Sequence, residues 1–362
     1  MTFSQRILVL MVFMSLPYQT FATEYLYLAS GNTITVKAID QDTGTLRDYQ
    51  TVKLDGTGPI AFSPDHSFLY IVIQTPRSKR QQFIATYTIG NDGKLTFQQK
   101  SAINMPSEYV QADATGQYLI GSHYGKGKMS VWKLTKGVYE GETVQEFTLE
   151  QQAHSTVFSK DNHYILVPAT GPNKVFQMTF DEKTGRVAFN NPAFARGPKI
   201  DARQPRHLVF NRKLNIAYTT QERMNPGVAT WEWNPENGVL NLLENIVTTN
   251  DHVKSITTAD LHITPDNQFL YISNRDDKNK RDSIIGFRID PKNGRLSLIK
   301  HFPSEHVPRS FCISQSGTYL YVAGKGDAKL GVYQIHPDTG ELEKITQYKT
   351  GANPIWVTTL VK

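Results

Sequence analysis

Charged side chains recur at two fixed offsets from a repeated turn. The turn positions are Pro64, Ala114, Lys160, Arg212, Pro265 and Gln315, spaced 46 to 53 residues apart. Six residues before them stand Gly58, Glu108, His154, Arg206, Ala259 and Arg309. Ten residues after them stand Gln74, Tyr124, Thr170, Glu222, Arg275 and Lys325. His154, Arg206, Arg275, Arg309 and Lys325 would surround one carboxylate, Glu222, if both sets reach one place. Guanidinium forks grip carboxylate or phosphate, and Glu222 or His154 could take a proton from water or a ligand. That chemistry is anion binding with acid–base catalysis. Charges at strand ends are usually just solvated, but a shared sign at neighbouring repeats favours a pocket.

The elements that would hold these residues repeat as well. "IAFSPDHSFLYIV", "VQADATGQYLIGS", "TVFSKDNHYILVP", "LVFNRKLNIAYTT", "LHITPDNQFLYIS" and "FCISQSGTYLYVA" share one template: apolar strand, short turn, apolar strand. A third alternating strand follows ("IIGFRID", "KLGVYQIH"), then a glycine turn ("PKNGRL", "PDTGEL", "QDTGTL") and a fourth strand. Four strands at this period read as the blade of a β-propeller. Six complete repeats are visible. The N-terminal "EYLYLAS" and "NTITVKAID" lack a first strand, and the C-terminal "NPIWVTTLVK" resembles it. The expectation is an all-β, seven-bladed propeller of four antiparallel strands per blade, closed by the C-terminal strand, one domain over residues 23–362. The residues before the first strand and after the second share one end of a hairpin, so both offset sets should ring one mouth of the central channel.

His262 sits within a first strand, where a packed structural histidine is as reasonable as a ligand contact. Asp260 reads as a strap between blades as readily as a site residue. With His207, Arg309 and Lys325 they are the expected substrate contacts, while His154, Glu222, Arg206 and Arg275 carry the catalytic expectation.

Other features limit the possibilities. Residues 1–22 form a Sec-type leader: Arg6, the apolar run "ILVLMVFMSL", and small residues at Thr20 and Ala22, with cleavage expected after Ala22. The mature protein would then be periplasmic or secreted, with no membrane span. No cysteine follows the apolar run to carry lipid. The only cysteine, Cys312, lies in the strand "SFCIS" and reads as a buried, inert thiol, so no internal disulfide is expected. The net charge of +6 is spread out, without a basic block interleaved with aromatics, which argues against nucleic acid. The ten histidines show no HExxH-like spacing, so no metal is expected. Neither a G-x-S-x-G elbow nor a phosphate-cradling glycine loop is present.

The runs "QPRHLVFNRKLNIAYTTQE", "ADLHITPDNQFLYISNR", "VPRSFCISQSGTYLYVAG", "AHSTVFSKDNHYILVP" and "GANPIWV" resemble the lactonase family of seven-bladed propellers. That family includes the cycloisomerase-type 6-phosphogluconolactonases and the carboxymuconate lactonizing enzyme. The resemblance spans essentially the whole mature chain. By motif it implies site roles for His154, Arg206, Glu222 and Arg275, and it places Arg309 on the family's later "PR". Lys325 and the longer, charged loop "RDDKNKRDS" depart from the pattern. The resemblance implies hydrolysis of an anionic sugar lactone, 6-phosphogluconolactone-like or an aldonolactone, with no cofactor. The alternatives are a muconate-type cycloisomerase, and a non-catalytic propeller that binds a sugar acid or a protein.

Overall fold

The middle of each repeat is almost wholly apolar because it is covered on both faces. The strand Phe269–Asp276 is buried at every position, whereas the fourth strand of the same repeat, Leu296–Pro303, is largely exposed. In the computed structural model, which describes residues 22–75, 81–197, 205–249 and 255–362, twenty-eight strands form seven four-stranded antiparallel sheets. Together they make a seven-bladed propeller, and no helix occurs among the described residues. The expected leader, residues 1–22, lies outside the described residues except for Ala22.

The seventh blade joins the chain ends. Its innermost strand is Pro354–Val361, followed outward by Glu24–Ser30, Thr33–Ile39 and Leu46–Lys53. The register pairs Glu24 with Val361 and Tyr27 with Thr358, so "NPIWVTTLVK" supplies the strand missing at the N-terminus. Closure removes two free edges that would otherwise template association.

The inner hairpins depend on one backbone position. Two residues after the turn anchor, His66, Gly116, Asn162, Asn267 and Gly317 all have positive φ, between 59° and 78°, a region that glycine and asparagine enter at little cost. Side chains fix the turn: Asp266 Oδ1 accepts from the Thr264 hydroxyl at 2.6 Å and the Gln268 N–H at 3.0 Å.

Tyrosines tie the blades into a ring. Tyr27, Tyr70, Tyr218, Tyr271 and Tyr321 each donate their hydroxyl to a glycine carbonyl in the next blade's outer turn, at Gly93, Gly137, Gly294, Gly340 and Gly44. Tyr118 and Tyr164 reach Lys183 and Glu236 in the same way at the other two junctions. All seven seams are thus strapped by a buried or half-buried phenol that needs a partner. Apolar clusters fill the seams. One packs Leu26, Leu28 and Val357 of the closing blade against Cys312, Tyr321 and Val332 of its neighbour. Burial there pushes the Cys312 thiol well above its usual range, which suits an inert packing residue.

Candidate functional site

β-Bulges aim the site residues inward. In the inner strand Pro205–Phe210, Pro205 pairs with Gln221 and Leu208 with Thr219, so Arg206 and His207 together oppose Thr220 alone. The next blade repeats this: Ala259 and Asp260 oppose Ser273. Arg309 and Ile355 are the extra residues in the two inner strands after that. An added residue bends the strand and turns adjacent side chains toward the same region. The extra amides are satisfied locally, since the His207 N–H donates to Thr220 Oγ1 at 3.2 Å and the Asp260 N–H to Ser273 Oγ at 2.9 Å.

The two offset sets meet as geometry requires. Arg275 Nη2 donates to Glu222 Oε1 at 2.9 Å and to the Thr258 carbonyl at 3.1 Å. Arg206 Nε lies 3.9 Å from the same carboxylate oxygen, and Arg206 Nη1 donates to the Ala259 carbonyl at 2.6 Å. The Tyr124 ring packs edge-on against His154 at 5.4 Å, and the Tyr124 N–H donates to Glu108 Oε2 at 2.8 Å. The strand carrying Arg275 runs on to Asp276, one residue further than its apolar pattern suggests. Beyond it, in "RDDKNKRDS", Arg281 Nε donates to Asp276 Oδ2 at 2.7 Å, while Asp282 Oδ2 meets His306 Nδ1 outside the loop at 2.8 Å. At the mouth the pairing is partial, with Arg275 and Arg206 on Glu222. Among the described residues Arg309 makes no ion pair.

Two cavities lie along the axis. A recess of about 20 Å³ at the mouth is lined by Pro59, Gln74, Glu108, His154, Arg206, His207, Arg309, Ile355 and Trp356, with room for about one water-sized oxygen. Deeper in the channel is a chamber of about 420 Å³, lined in part by Tyr109, Gln111, His207, Asp260, His262, Trp356 and Thr358. Between them stands an aromatic triangle: Tyr109 to His207 at 5.6 Å, Tyr109 to Trp356 at 5.7 Å, and His207 to Trp356 at 6.3 Å.

Burial and neighbouring charge set the protonation states. Burial, then Arg206, His207, Arg309 and Arg275, hold His154 well below the usual histidine range, so it is neutral at neutral pH with Nδ1 buried and unpartnered. Burial would raise Glu222, but Arg206, Arg275 and Arg223 outweigh it and the net shift is downward. Glu108 moves the other way: its burial wins over the Tyr124 N–H and Arg309. His207 is brought down to about 4 by burial and Arg206, against the pull of Asp260. Lys325, though exposed, is lowered by partial desolvation and by the repulsion of Arg309 and Arg275, which marks it as part of the same field.

The fold therefore brings His154, Arg206, Glu222, Arg275, Arg309 and Lys325 to one mouth. His207 sits between recess and chamber. Asp260 lies on the chamber side, where its oxygens join three blades: Oδ1 meets His207 Nδ1 at 2.9 Å, and Oδ2 accepts the Phe311 N–H at 3.3 Å. His262 faces the chamber, 3.4 Å from Asp260 Oδ2, with its ring against Phe311. It is therefore not at the mouth. Tyr109 and Trp356 were not singled out from sequence, yet Tyr109 stands at a position that the repeat marks. Tyr109, Ser155, His207, Asp260 and Ser310 each stand one residue after an inner offset position, so the same count shifted by one finds the next tier. Glu108 and Gln74 were on the offset rings already. Among the described residues no three His, Cys, Asp or Glu side chains are placed to hold a metal ion.

Comparison with known proteins agrees with this architecture. Residues 19–359 match the family described as lactonase, 7-bladed beta-propeller. A 6-phosphogluconolactonase of Enterobacter sp. (strain 638) is 30% identical over 319 residues, covering 87% of this chain and 92% of that protein. One from Buchnera aphidicola is 28% identical over 93% of this chain and 99% of its own. Among solved structures, the periplasmic gluconolactonase of Pseudomonas aeruginosa superposes with a TM-score of 0.85 at 22% identity, covering 93% of this chain and 99% of that one. Repeats, closure, and sequence likeness over nearly its whole length make this chain a member of the seven-bladed β-propeller lactonase family.

Proposed function

We propose that this lactonase hydrolyses a sugar lactone at the arginine-lined mouth, either an aldonolactone or one that also bears phosphate. The observation that carries the proposal is that His154, Arg206 and Arg309 line one small recess while the buried Glu222 stands behind, engaged with Arg275 and Arg206. The relatives named 6-phosphogluconolactonase support the same reaction class.

In the proposed mechanism, water in the recess attacks the lactone carbonyl and a new C–O bond forms. Arg206 and Arg275 each keep a buried Nε without a hydrogen-bond partner, and these N–H groups stabilise the oxyanion as it develops. Neutral His154 takes the water's proton. The ring C–O bond then breaks, and the imidazolium gives the proton to the departing ring oxygen, leaving a hydroxy acid. Of the two candidate bases, Glu222 suits the task less, because its charge already orients two guanidiniums. Arg309 and Lys325 hold the distal anionic group. No step requires a metal.

The leader and the periplasmic neighbour support an exported enzyme acting on lactones outside the cytoplasm. The test is base uptake at constant pH over a panel of 1,5-aldonolactones, with and without a terminal phosphate. Turnover above the spontaneous rate is expected, with His154→Gln losing it. A wild-type protein that binds aldonates and consumes no lactone would instead be a binding propeller.

A further inference from the structure

We infer that Asp260 is a positioning residue for specificity: it fixes the His207 proton on Nδ1, so that His207 Nε2 and Glu108 form a hydroxyl-reading wall facing the arginines. The inference rests on the lactonase reading of the same mouth and assigns residues to the recognition of the sugar's hydroxyls.

The tautomer follows from hydrogen-bond inventory. Asp260 receives only donors: His207 Nδ1 at 2.9 Å, the Leu261 N–H at 3.0 Å and the Phe311 N–H at 3.3 Å. A carboxylate can only accept, so Nδ1 of the neutral ring must carry the proton. Nε2 is then a bare acceptor. It is buried, has no partner, and belongs to a residue lining the recess. The recess has room for about one oxygen. Glu108 adds a second acceptor: Oε2 is taken by the Tyr124 N–H, whereas Oε1 makes no hydrogen bond among the described residues, and the side chain lines the same recess. The same recess is also lined by Arg206 and Arg309, which bring only donors.

A ligand satisfying both sides needs acceptors for the guanidiniums and O–H donors for His207 and Glu108. An aldonic acid or its lactone, with a hydroxyl beside the carboxyl carbon, supplies both. A bare carboxylate or an unsaturated dicarboxylate brings acceptors only. It leaves His207 Nε2 unpaired and meets Glu108 charge to charge.

The test uses calorimetric binding of gluconate, hexanoate and cis,cis-muconate to the full-length protein, with ¹⁵N NMR of the histidine rings. Wild type should show a protonated Nδ1 and bare Nε2 at His207, and should prefer gluconate to hexanoate by tenfold or more. In Asp260→Asn the amide N–H₂ donates to Nδ1, the proton moves to Nε2, and the preference should fall at least fivefold; Asp260→Glu should restore it. Should Asp260→Asn not fold, Glu108→Gln, which replaces an acceptor by a donor, should narrow the preference in the same direction. The inference is overturned by a proton on Nε2 in wild type, by hexanoate binding as tightly as gluconate, or by a flipped tautomer with unchanged preference. Selective gluconate binding without turnover of any lactone would retire the hydrolase reading and leave this one standing.

Discussion

Arg275 and Glu222 belong to adjacent blades and meet end to end, with Nη2 donating to Oε1 at 2.9 Å. The buried Arg206 Nε lies 3.9 Å from that same oxygen, and Nη2 of the exposed Arg223 lies 3.8 Å from it. One carboxylate thus holds two guanidiniums that would otherwise repel each other beneath a buried surface. Removing it leaves charge uncompensated, and breaking a buried pair of this kind typically costs about 3–5 kcal/mol. Glu222→Ala should lower the midpoint of thermal or denaturant unfolding accordingly and weaken aldonate binding. An unchanged midpoint would show that the clamp carries no load.

His154 has the opposite profile, because its buried Nδ1 has no hydrogen-bond partner among the described residues. His154→Gln should reduce kcat by about 10²- to 10⁴-fold, the usual contribution of general acid–base catalysis, with aldonate affinity within a few fold of wild type. Equal losses in kcat and affinity would instead place His154 among the binding groups.

The depressed pKa of His207 has a consequence for stability. Its folded value is about 4 against 6.5 unfolded, so protons bind the unfolded chain preferentially. The neutral ring's contribution is complete above pH 6.5 and is lost as pH falls toward 4, about 3 kcal/mol in all. His154, shifted in the same direction, steepens the same window. Unfolding free energy measured from pH 7 to 4 should fall steeply in wild type and less so in His207→Gln. Parallel curves would mean that His207 titrates as it does in the unfolded chain.

Ring closure is tested by deletion. Removing residues 355–362 strips the strand that pairs with Glu24–Ser30 and exposes an edge. The truncated protein should melt at a markedly lower temperature and self-associate. A melting curve like that of the full chain would locate closure elsewhere.

The leader proposed for residues 1–22 is tested by mass. Exported protein should begin at Thr23 or within a few residues of it, as read by intact-mass measurement. Retention of Met1 would return the protein to the cytoplasm.

Much of this was legible because the repeat fixes position more tightly than it fixes identity. Pro265 and Arg212 have nothing in common chemically, yet counting from each finds a mouth residue. Arg206, Glu222 and Arg275 were located that way before any contact was known. The bulges were not legible: nothing in "PRHLVF" or "ADLHIT" announces that two neighbouring residues face one partner, because a bulge is a matter of pairing across strands. His262, which sequence leaves between a packed histidine and a ligand contact, lies on the chamber. The proposed preference for His154 over Glu222 as base was equally closed to sequence, since it rests on which is clamped by guanidiniums and which lines the recess. Tyr109 is reached by shifting the inner count one residue, whereas Trp356 is not, because the inner hairpin of the closing blade is split between the two chain ends and offers no turn to count from.

The bulges at Arg206–His207, Ala259–Asp260, Arg309 and Ile355 also bear on how such a propeller could change its ligand. Each adds a single residue to an inner strand whose outer pairing and tyrosine straps lie elsewhere. Deleting one residue there would restore regular pairing and exchange which of two adjacent side chains lines the axis, leaving the rest of the blade in register. Insertion and deletion, usually the most disruptive changes to a sheet, become at these four points a compact route to new specificity on an unchanged ring.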